Sequence, residues 1–355
     1  MSLPSVSVVM AVFNGARYLP ETLASLRSQT FKDFEVIVVD DGSTDDTPAI
    51  LAEFARSDHR CRIITQPNKG QVAARNLGVE AAKAPLIAWL DADDIAEKDR
   101  FARQVDFLGA HPRVAAVGSA ITLIDQDGVE GDVAYYPEGA AEVAASMSKT
   151  CALAHSAVMM RKAPFLAIGG YRQPFLHAED YDLWLRLLDH HDAHNLREPL
   201  LRYRQHGGSL SFRHRRQQSL AALAARHCTR ARRAGRPDPF DGRKELVDGN
   251  IFAELAITPA EEAVFRFECL ASCVADWLNA TMDAWIIENL DRSWELRAHL
   301  PRGRYARRCL APYVRMRWKE GNRGEALRWL GRALMRAPFA CLWQLAVLSL
   351  RRPPP

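Results

Sequence analysis

No two of the seven cysteines form a CxxC pair; they stand apart at positions 61, 151, 228, 269, 273, 309 and 341. An odd, scattered set in a chain of 355 residues argues against a disulfide framework and for reduced thiols in the cytoplasm. Cys269 and Cys273 sit at helical spacing and read as core thiols. Long apolar runs are also missing. The longest, Pro338 to Leu350, has Gln344 inside it and is too short to cross a bilayer, although a helix there suits lying on one. The N-terminus carries no basic region followed by an apolar stretch and cleavage site, and Val6–Phe13 is too short for a signal, so it reads as the start of a fold. No GxGxxG loop follows that run, which disfavours a dinucleotide-binding Rossmann domain. His190, His191 and His194 have no zinc-site spacing and read as surface residues.

Charge is present in both signs but unevenly spread. Residues 1–212 carry a net −7 and residues 213–355 a net +11, which suggests two functional regions divided there. The first alternates strand and helix patterns. Apolar runs at Val6–Phe13, Phe34–Val39, Cys61–Thr65 and Leu86–Leu90 are separated by amphipathic segments at Tyr18–Arg27, Thr47–Arg56 and Val72–Ala82. This β-α-β-α-β-α-β order predicts an α/β fold with a mostly parallel sheet and helices on both faces. Beyond the helical pattern at Phe101–Leu108, strands are predicted at Val114–Gly118 and Ile121–Ile124, with a turn at Asp125–Gly128. An apolar run at Ala154–Met160, a helix at Glu179–Leu188 and a strand at His194–Tyr203 follow. The second region reads as basic and α-helical, with segments at 217–233, 260–290, 305–318 and 323–350 and a break at Gly235–Pro239. Its arginines suit phosphate groups, anionic lipid or acidic glycans.

Two acidic clusters close apolar strands. Asp91-Ala92-Asp93-Asp94 follows Leu86–Leu90, and Asp40-Asp41-Gly42-Ser43-Thr44-Asp45-Asp46 follows Phe34–Val39. Open α/β sheets bind ligands beyond the carboxyl ends of their strands. Massed carboxylates at that edge suit a hard divalent cation. A helix N-cap is the competing reading for Asp93 or Asp94, and for Asp45 or Asp46. Asp40 and Asp41 suit a nucleobase N–H or a ribose hydroxyl, or else a salt bridge. Phe13, at the end of the first strand, suits either stacking on a base or the core. His155 and Ser156 line a pocket or the interior.

The strings VSVVMAVFNGARYL, SQTFKDFEVIVVDDGSTDDT, NKGQVAARNLG and LIAWLDADD, in that order, resemble glycosyltransferase family 2 over about the first 210 residues. That resemblance implies a GT-A fold and inverting transfer of one sugar from a nucleotide diphosphate, UDP being the default. It implies that Ala11, Phe13, Asp40, Asp41, Lys69 and Asp91 bind the nucleotide sugar, with Asp91, Ala92 and Asp93 as a DXD motif. Asp93 matches the ligand of Mn²⁺ or Mg²⁺, and His206, in a glycine-flanked loop, is a second ligand or an exposed loop histidine. Glu179-Asp180 matches an ED motif, with Asp180 as general base and Glu179 in support. Asp182 falls roughly 200° round the helix from Asp180 and does not share that role. Implied partners are the donor and a glycan or lipid-linked acceptor of surface polysaccharide or lipopolysaccharide, and no nucleic acid. The basic helices are expected to touch the inner face of the cell membrane, to pack on the first region or to form a homodimer. Two other classes fit an acidic α/β site: a sugar-phosphate nucleotidyltransferase, for which Asn14-Gly15-Ala16-Arg17 is a poor phosphate loop, and an inactive glycan-binding module.

Overall fold

The computed structural model describes residues 3–206 and 215–243, with positions 255, 257–259, 262, 324 and 327–329. The alternating first half folds as its periodicity requires: β1 (Val6–Val12), α1 (Leu19–Ser28), β2 (Phe34–Asp40), α2 (Thr47–Ser57), β3 (Cys61–Thr65), α3 (Gln71–Ala81) and β4 (Leu86–Trp89). These four strands lie parallel in the order β3-β2-β1-β4. The apolar runs of β1, β2 and β4 are buried on both faces, while β3 at the edge is only partly buried. Val8, Met10, Val36 and Val38 join one core cluster with Leu19, Leu23 and Leu26 of α1, and α3 packs on β1 and β2. The α3 contact is close: a Cβ on Gly78 would lie 2.5 Å from Val9 Cγ1, so glycine sets the helix-to-sheet distance.

The second half breaks the parallel order. It comprises β5 (Ile95–Ala96), α4 (Arg100–Ala110), β6 (Val114–Ile124), β7 (Glu130–Ala134), α5 (Ala140–Met147), β8 (Met159–Arg161), α6 (Lys162–Ala167), α7 (Glu179–Leu187), β9 (Asp192–Arg204) and α8 (Arg215–Arg233). Among the described residues the strands form one mixed sheet, β3-β2-β1-β4-β8-β6-β9-β5, with β7 on β6. Three residues of β8 run antiparallel between β4 and β6. The two strands expected at 114–124 are one. Ser119 and Ala120 are buried and keep the strand continuous, while the register against β9 shifts beside them.

A first compact unit runs from Met1 to Leu246, past the division drawn from charge at residue 212. Helix α8 packs on α7 and has Leu220, Ala224 and Cys228 buried. Of the second unit, Val247–Pro355, almost all lies outside the described residues; of the helices expected at 260–290, 305–318 and 323–350 only positions 262, 324 and 327–329 are described, and those are helical. Among the described residues no helix is long and apolar enough to cross a membrane.

Candidate active site

Parallel strands β1, β2 and β4 end at one edge of the sheet, and the acidic clusters follow there. The loop after β1 is tied to the loop after β2. Asn14 N–H donates to Ser43 Oγ at 2.9 Å, Thr44 N–H to Asn14 Oδ1 at 2.8 Å and Gly15 N–H to Thr47 Oγ1 at 2.9 Å. Asp45 accepts from the N–H groups of Thr47 and Ala16. Gly42 has φ +79°, and a Cβ there would lie 2.9 Å from Asn68 N, so the turn requires glycine. Ala11 lies partly buried near the end of β1. Phe13 is 50% exposed, which removes the core reading and leaves an apolar ring open at the edge.

Asp40 and Asp41 are both buried, and both are engaged. Asp40 Oδ1 accepts from Ser43 N–H at 3.0 Å. Asp41 accepts from Gln66 Nε2 at 2.6 Å, Lys69 N–H at 2.9 Å and Gly70 N–H at 2.8 Å. A carboxylate offers about four lone-pair sites, so Asp41 keeps about one for a ligand. Its other work is to fix the start of α3. Lys69 contributes its backbone there, and its side chain is exposed.

Asp91 and Asp93 stand partly open beyond β4. Asp91 N–H donates to Ser156 Oγ at 3.0 Å, and its Oδ1 lies 2.9 Å from Arg75 Nη2 and 3.6 Å from His155 Nδ1. Burial opposes its ionisation, but Arg75 and then His155 outweigh burial and hold Asp91 below the usual carboxylate range. Asp93 Oδ2 meets His206 Nε2 at 3.0 Å, and the His206 ring leans on Tyr18 with centroids 4.9 Å apart. The residues after His206, including Gly207 and Gly208, lie outside the described set.

Asp94 is not a helix cap. Helix α4 begins at Arg100, and Asp94, 1% exposed, accepts the N–H of Arg204 on β9 at 2.9 Å. Burial first, then Asp93 and Asp91, raise its pKa well above the ordinary value. A carboxyl in that state is a structural peg between β4 and β9.

Glu179 and Asp180 occupy the first turn of α7, which follows His177 at φ +73° and Ala178 at the N-cap. A non-glycine residue at positive φ is uncommon and costs about 1–3 kcal/mol. Glu179 is buried; Oε1 accepts from Gln71 Nε2 at 2.7 Å and from Arg75 Nη1, while Oε2 has no hydrogen-bond partner. Burial pushes its pKa up to about 7 against the pull of Arg75, and neighbouring Asp180 adds to the push. Asp180 Oδ1 accepts from Tyr181 N–H at 2.7 Å. Its charge reaches Arg75, His155 and Tyr171, so it belongs to the same cluster. Asp182 is buried on another face, paired with Arg172 and Arg186.

Three contributors carried no assigned role in the sequence reading. Arg75 joins Asp91 to Glu179. Arg204 donates through Nε to Asp93 O at 3.0 Å, pairs with Glu21 and lies over the Tyr18 ring. Tyr171 hydroxyl meets His155 Nε2 at 2.8 Å. Arg75 stands in the AARN string, and the four-residue step from Gln71 puts both on one face of α3. That spacing was the available signal.

Among the described residues no three His, Cys, Asp or Glu converge as a ready-made metal cage. Asp93 and His206 supply one carboxylate and one imidazole 3.0 Å apart. That pair would suit a Mn²⁺ or Mg²⁺, ions that take oxygen and imidazole ligands and keep several positions for non-protein ligands.

The family profile described as "Glycosyl transferase family 2" matches residues 7–166. The putative glycosyltransferase EpsE of Bacillus subtilis is 34% identical over 209 residues, 57% of this chain and 73% of that one. An uncharacterized glycosyltransferase of Methanocaldococcus jannaschii is 31% identical over 209 residues, 58% of this chain and 72% of that one. Among solved structures, S. aureus TarS 1–349 in complex with UDP-GlcNAc aligns with a TM-score of 0.54 at 16% identity, covering 86% of this chain and 84% of that one. The mannosyltransferase PcManGT from Pyrobaculum calidifontis, in complex with GDP-Man and Mn²⁺, aligns with a TM-score of 0.52 at 18% identity, covering 97% and 88%. At these identities the structural likeness speaks for the fold, which is of the GT-A kind.

Proposed function

Because this chain belongs to glycosyl transferase family 2 and is a glycosyltransferase, we propose that it moves one sugar, with inversion, from a nucleoside-diphosphate sugar to a hydroxyl of a glycan or lipid-linked acceptor. The observation that carries this reading is the hydrogen-bonded unit Asp91–Arg75–Glu179, which brings the acids after β4 and the first turn of α7 into one cluster. A direct displacement needs donor-binding groups and one base on the acceptor side, and this cluster offers both. UDP is the default nucleotide, and the setting is construction of a surface polysaccharide or lipopolysaccharide.

Donor binding falls to the strand-end edge. Phe13 would offer a face for the base, Asp40 and Asp41 would take the nucleoside, and Asp91 would take the ribose or sugar. Asp93 and His206 would hold Mn²⁺ or Mg²⁺, as the Mn²⁺ in PcManGT suggests by analogy, and the bound ion would offset charge on the leaving diphosphate. Asp180 acts as base. Tyr181 N–H fixes its Oδ1, so Oδ2 takes the acceptor's proton as the hydroxyl oxygen attacks the anomeric carbon. The basic region beyond residue 212 is read as a surface for acidic lipid or acceptor, on its +11 charge.

The test is a screen of nucleotide sugars with Mn²⁺, read as release of nucleoside diphosphate. Asp93→Ala is expected to abolish turnover, and Asp180→Asn to do so while donor binding persists. Full activity in Asp180→Asn would remove the base assignment. Release of pyrophosphate would instead favour a nucleotidyltransferase, and glycan binding without turnover of any donor an inactive module.

A further inference from the structure

Arg75 is largely enclosed, its side chain 12% exposed, between the acids that follow β4 and the first turn of α7. Its two terminal nitrogens point to different carboxylates: Nη2 to Asp91 Oδ1 at 2.9 Å, and Nη1 to Glu179 Oε1. Asp91 follows β4 and Glu179 opens α7, so these acids come from distant parts of the chain. The helix that carries Arg75 is itself pinned at several points. Asp41 accepts the N–H groups of Lys69 and Gly70 just before α3. Gln71, four residues before Arg75, adds a second donor to Glu179 Oε1. Asn76 locks the Tyr171 backbone from both sides, donating to its carbonyl at 2.9 Å and accepting its N–H at 3.0 Å. The Tyr171 ring lies 6.0 Å from the Arg75 guanidinium.

We propose that Arg75 is a positioning residue: its guanidinium fork couples the donor-side carboxylate Asp91 to the acceptor-side turn Glu179–Asp180, setting the two halves of the site at a fixed separation. The inference rests on the transferase reading above. A guanidinium suits this task because it is planar and presents several N–H groups in a fixed fork, whereas a lysine ammonium is a point charge. Arg75 acts through its two carboxylates. Glu179 in turn feels charge from Arg75 on α3, Asp180 on its own helix and Asp91 after β4, and Gln71 bonds it from α3. Removing Arg75 leaves the buried Glu179 and the partly open Asp91 without their shared cation. The first turn of α7 then keeps only Gln71 as its anchor on α3, and the base beside it loses its set position.

The experiment is a double-mutant cycle on the full chain with Arg75→Met, Glu179→Gln and the double variant. It measures nucleoside-diphosphate release with Mn²⁺ across pH and donor concentration. Each single variant is expected to lower kcat by about 10²-fold, the scale of a misplaced catalytic group. The double variant should lose little more than the worse single one, because both changes cut the same link. The acidic limb of the kcat profile should also move to higher pH in Arg75→Met. Arg75→Lys should recover either donor KM or kcat, and not both, since one ammonium serves one carboxylate. Losses that multiply in the double variant, together with an unmoved acidic limb, would overturn the coupling. If Arg75→Met does not fold, the same cycle is read with Arg75→Lys, and the same additivity decides. A wild-type chain that turns over no nucleotide sugar would defeat the transferase reading instead.

Discussion

Replacing Asp182 by alanine should destabilise the first compact unit by about 3 kcal/mol without touching the chemistry. Asp182 is 1% exposed and takes three N–H donors: Arg172 Nε at 3.0 Å, Arg172 Nη2, and Arg186 Nε at 2.9 Å. Removing one partner of a buried ion pair costs about 3–5 kcal/mol, because the charge left behind has no counter-ion. The lower end applies. Arg172 keeps Asp238 through Nη1 at 3.0 Å, and Arg186 keeps the carbonyls of Ile168 and Gly170 at 2.5 and 2.6 Å. In a unit of this size each kcal/mol shifts Tm by about 2–4 °C, so the expected drop is about 6–12 °C. Thermal and urea unfolding followed by far-ultraviolet circular dichroism measure it. Asp180→Asn is the matched control, two residues away on the same helix. It should keep Tm within about 2 °C, a change under about 1 kcal/mol, while transfer falls by about 10²–10⁴-fold. An Asp182→Ala variant within about 1 kcal/mol of wild type would refute the reasoning, since it would mean the two guanidiniums stay solvated or re-pair without it.

The raised pKa of Glu179 has a definite sign for stability. The folded state holds a proton that the unfolded chain releases at the ordinary 4.5, so stability should fall as pH rises from 4.5 to about 7 and level off above. At ~1.4 kcal/mol per tenfold the full effect is up to about 3 kcal/mol. Urea midpoints across that range should therefore slope in wild type and flatten in Glu179→Gln; equal slopes would remove Glu179 as the source. Phe13→Ala should leave Tm nearly unchanged, because the ring is half exposed. It should also weaken donor binding by about 5- to 150-fold, the range for lost base stacking of about 1–3 kcal/mol, read by titration with nucleoside diphosphate. A chain ending after residue 246 should stay folded, whereas one ending after 212 should aggregate, since it strips α8 from α7; light scattering of the two purified chains distinguishes them.

The parts of this site legible in the sequence are those built from neighbours along the chain. Buried β-branched strands that end in acids, and an acidic first turn on an amphipathic helix, are local patterns with a period of their own. They located β1, β2, β4 and α7 to within a residue or two. The middle of the sheet was harder. Strand β8 has three residues and is held by β4 and β6 rather than by any alternation of its own. Asp94 shows how a local rule fails. It precedes a helix and has the right side chain for a cap, but its partner is the N–H of Arg204, 110 residues further on. No pattern around residue 94 encodes that pairing.

Arginine shows the same limit most clearly. Counted along the chain, the arginines after residue 212 read as a cationic surface seeking phosphate or lipid. Folded, Arg232 donates to Asp189 at 2.8 Å and to Asp238 at 2.7 Å, and Arg233 donates to Asp189 at 2.9 Å. Those side chains neutralise acids of the same compact unit and join α8 to the end of α7. Arg172 extends the network to Asp182, in the helix whose first turn holds the proposed base. A net charge summed over a segment cannot tell a cation facing solvent from one already paired, because pairing is set by the fold and not by composition. The charge that α8 offers a partner is therefore smaller than its sequence suggests. Part of what looked like a separate basic region instead braces the catalytic helix.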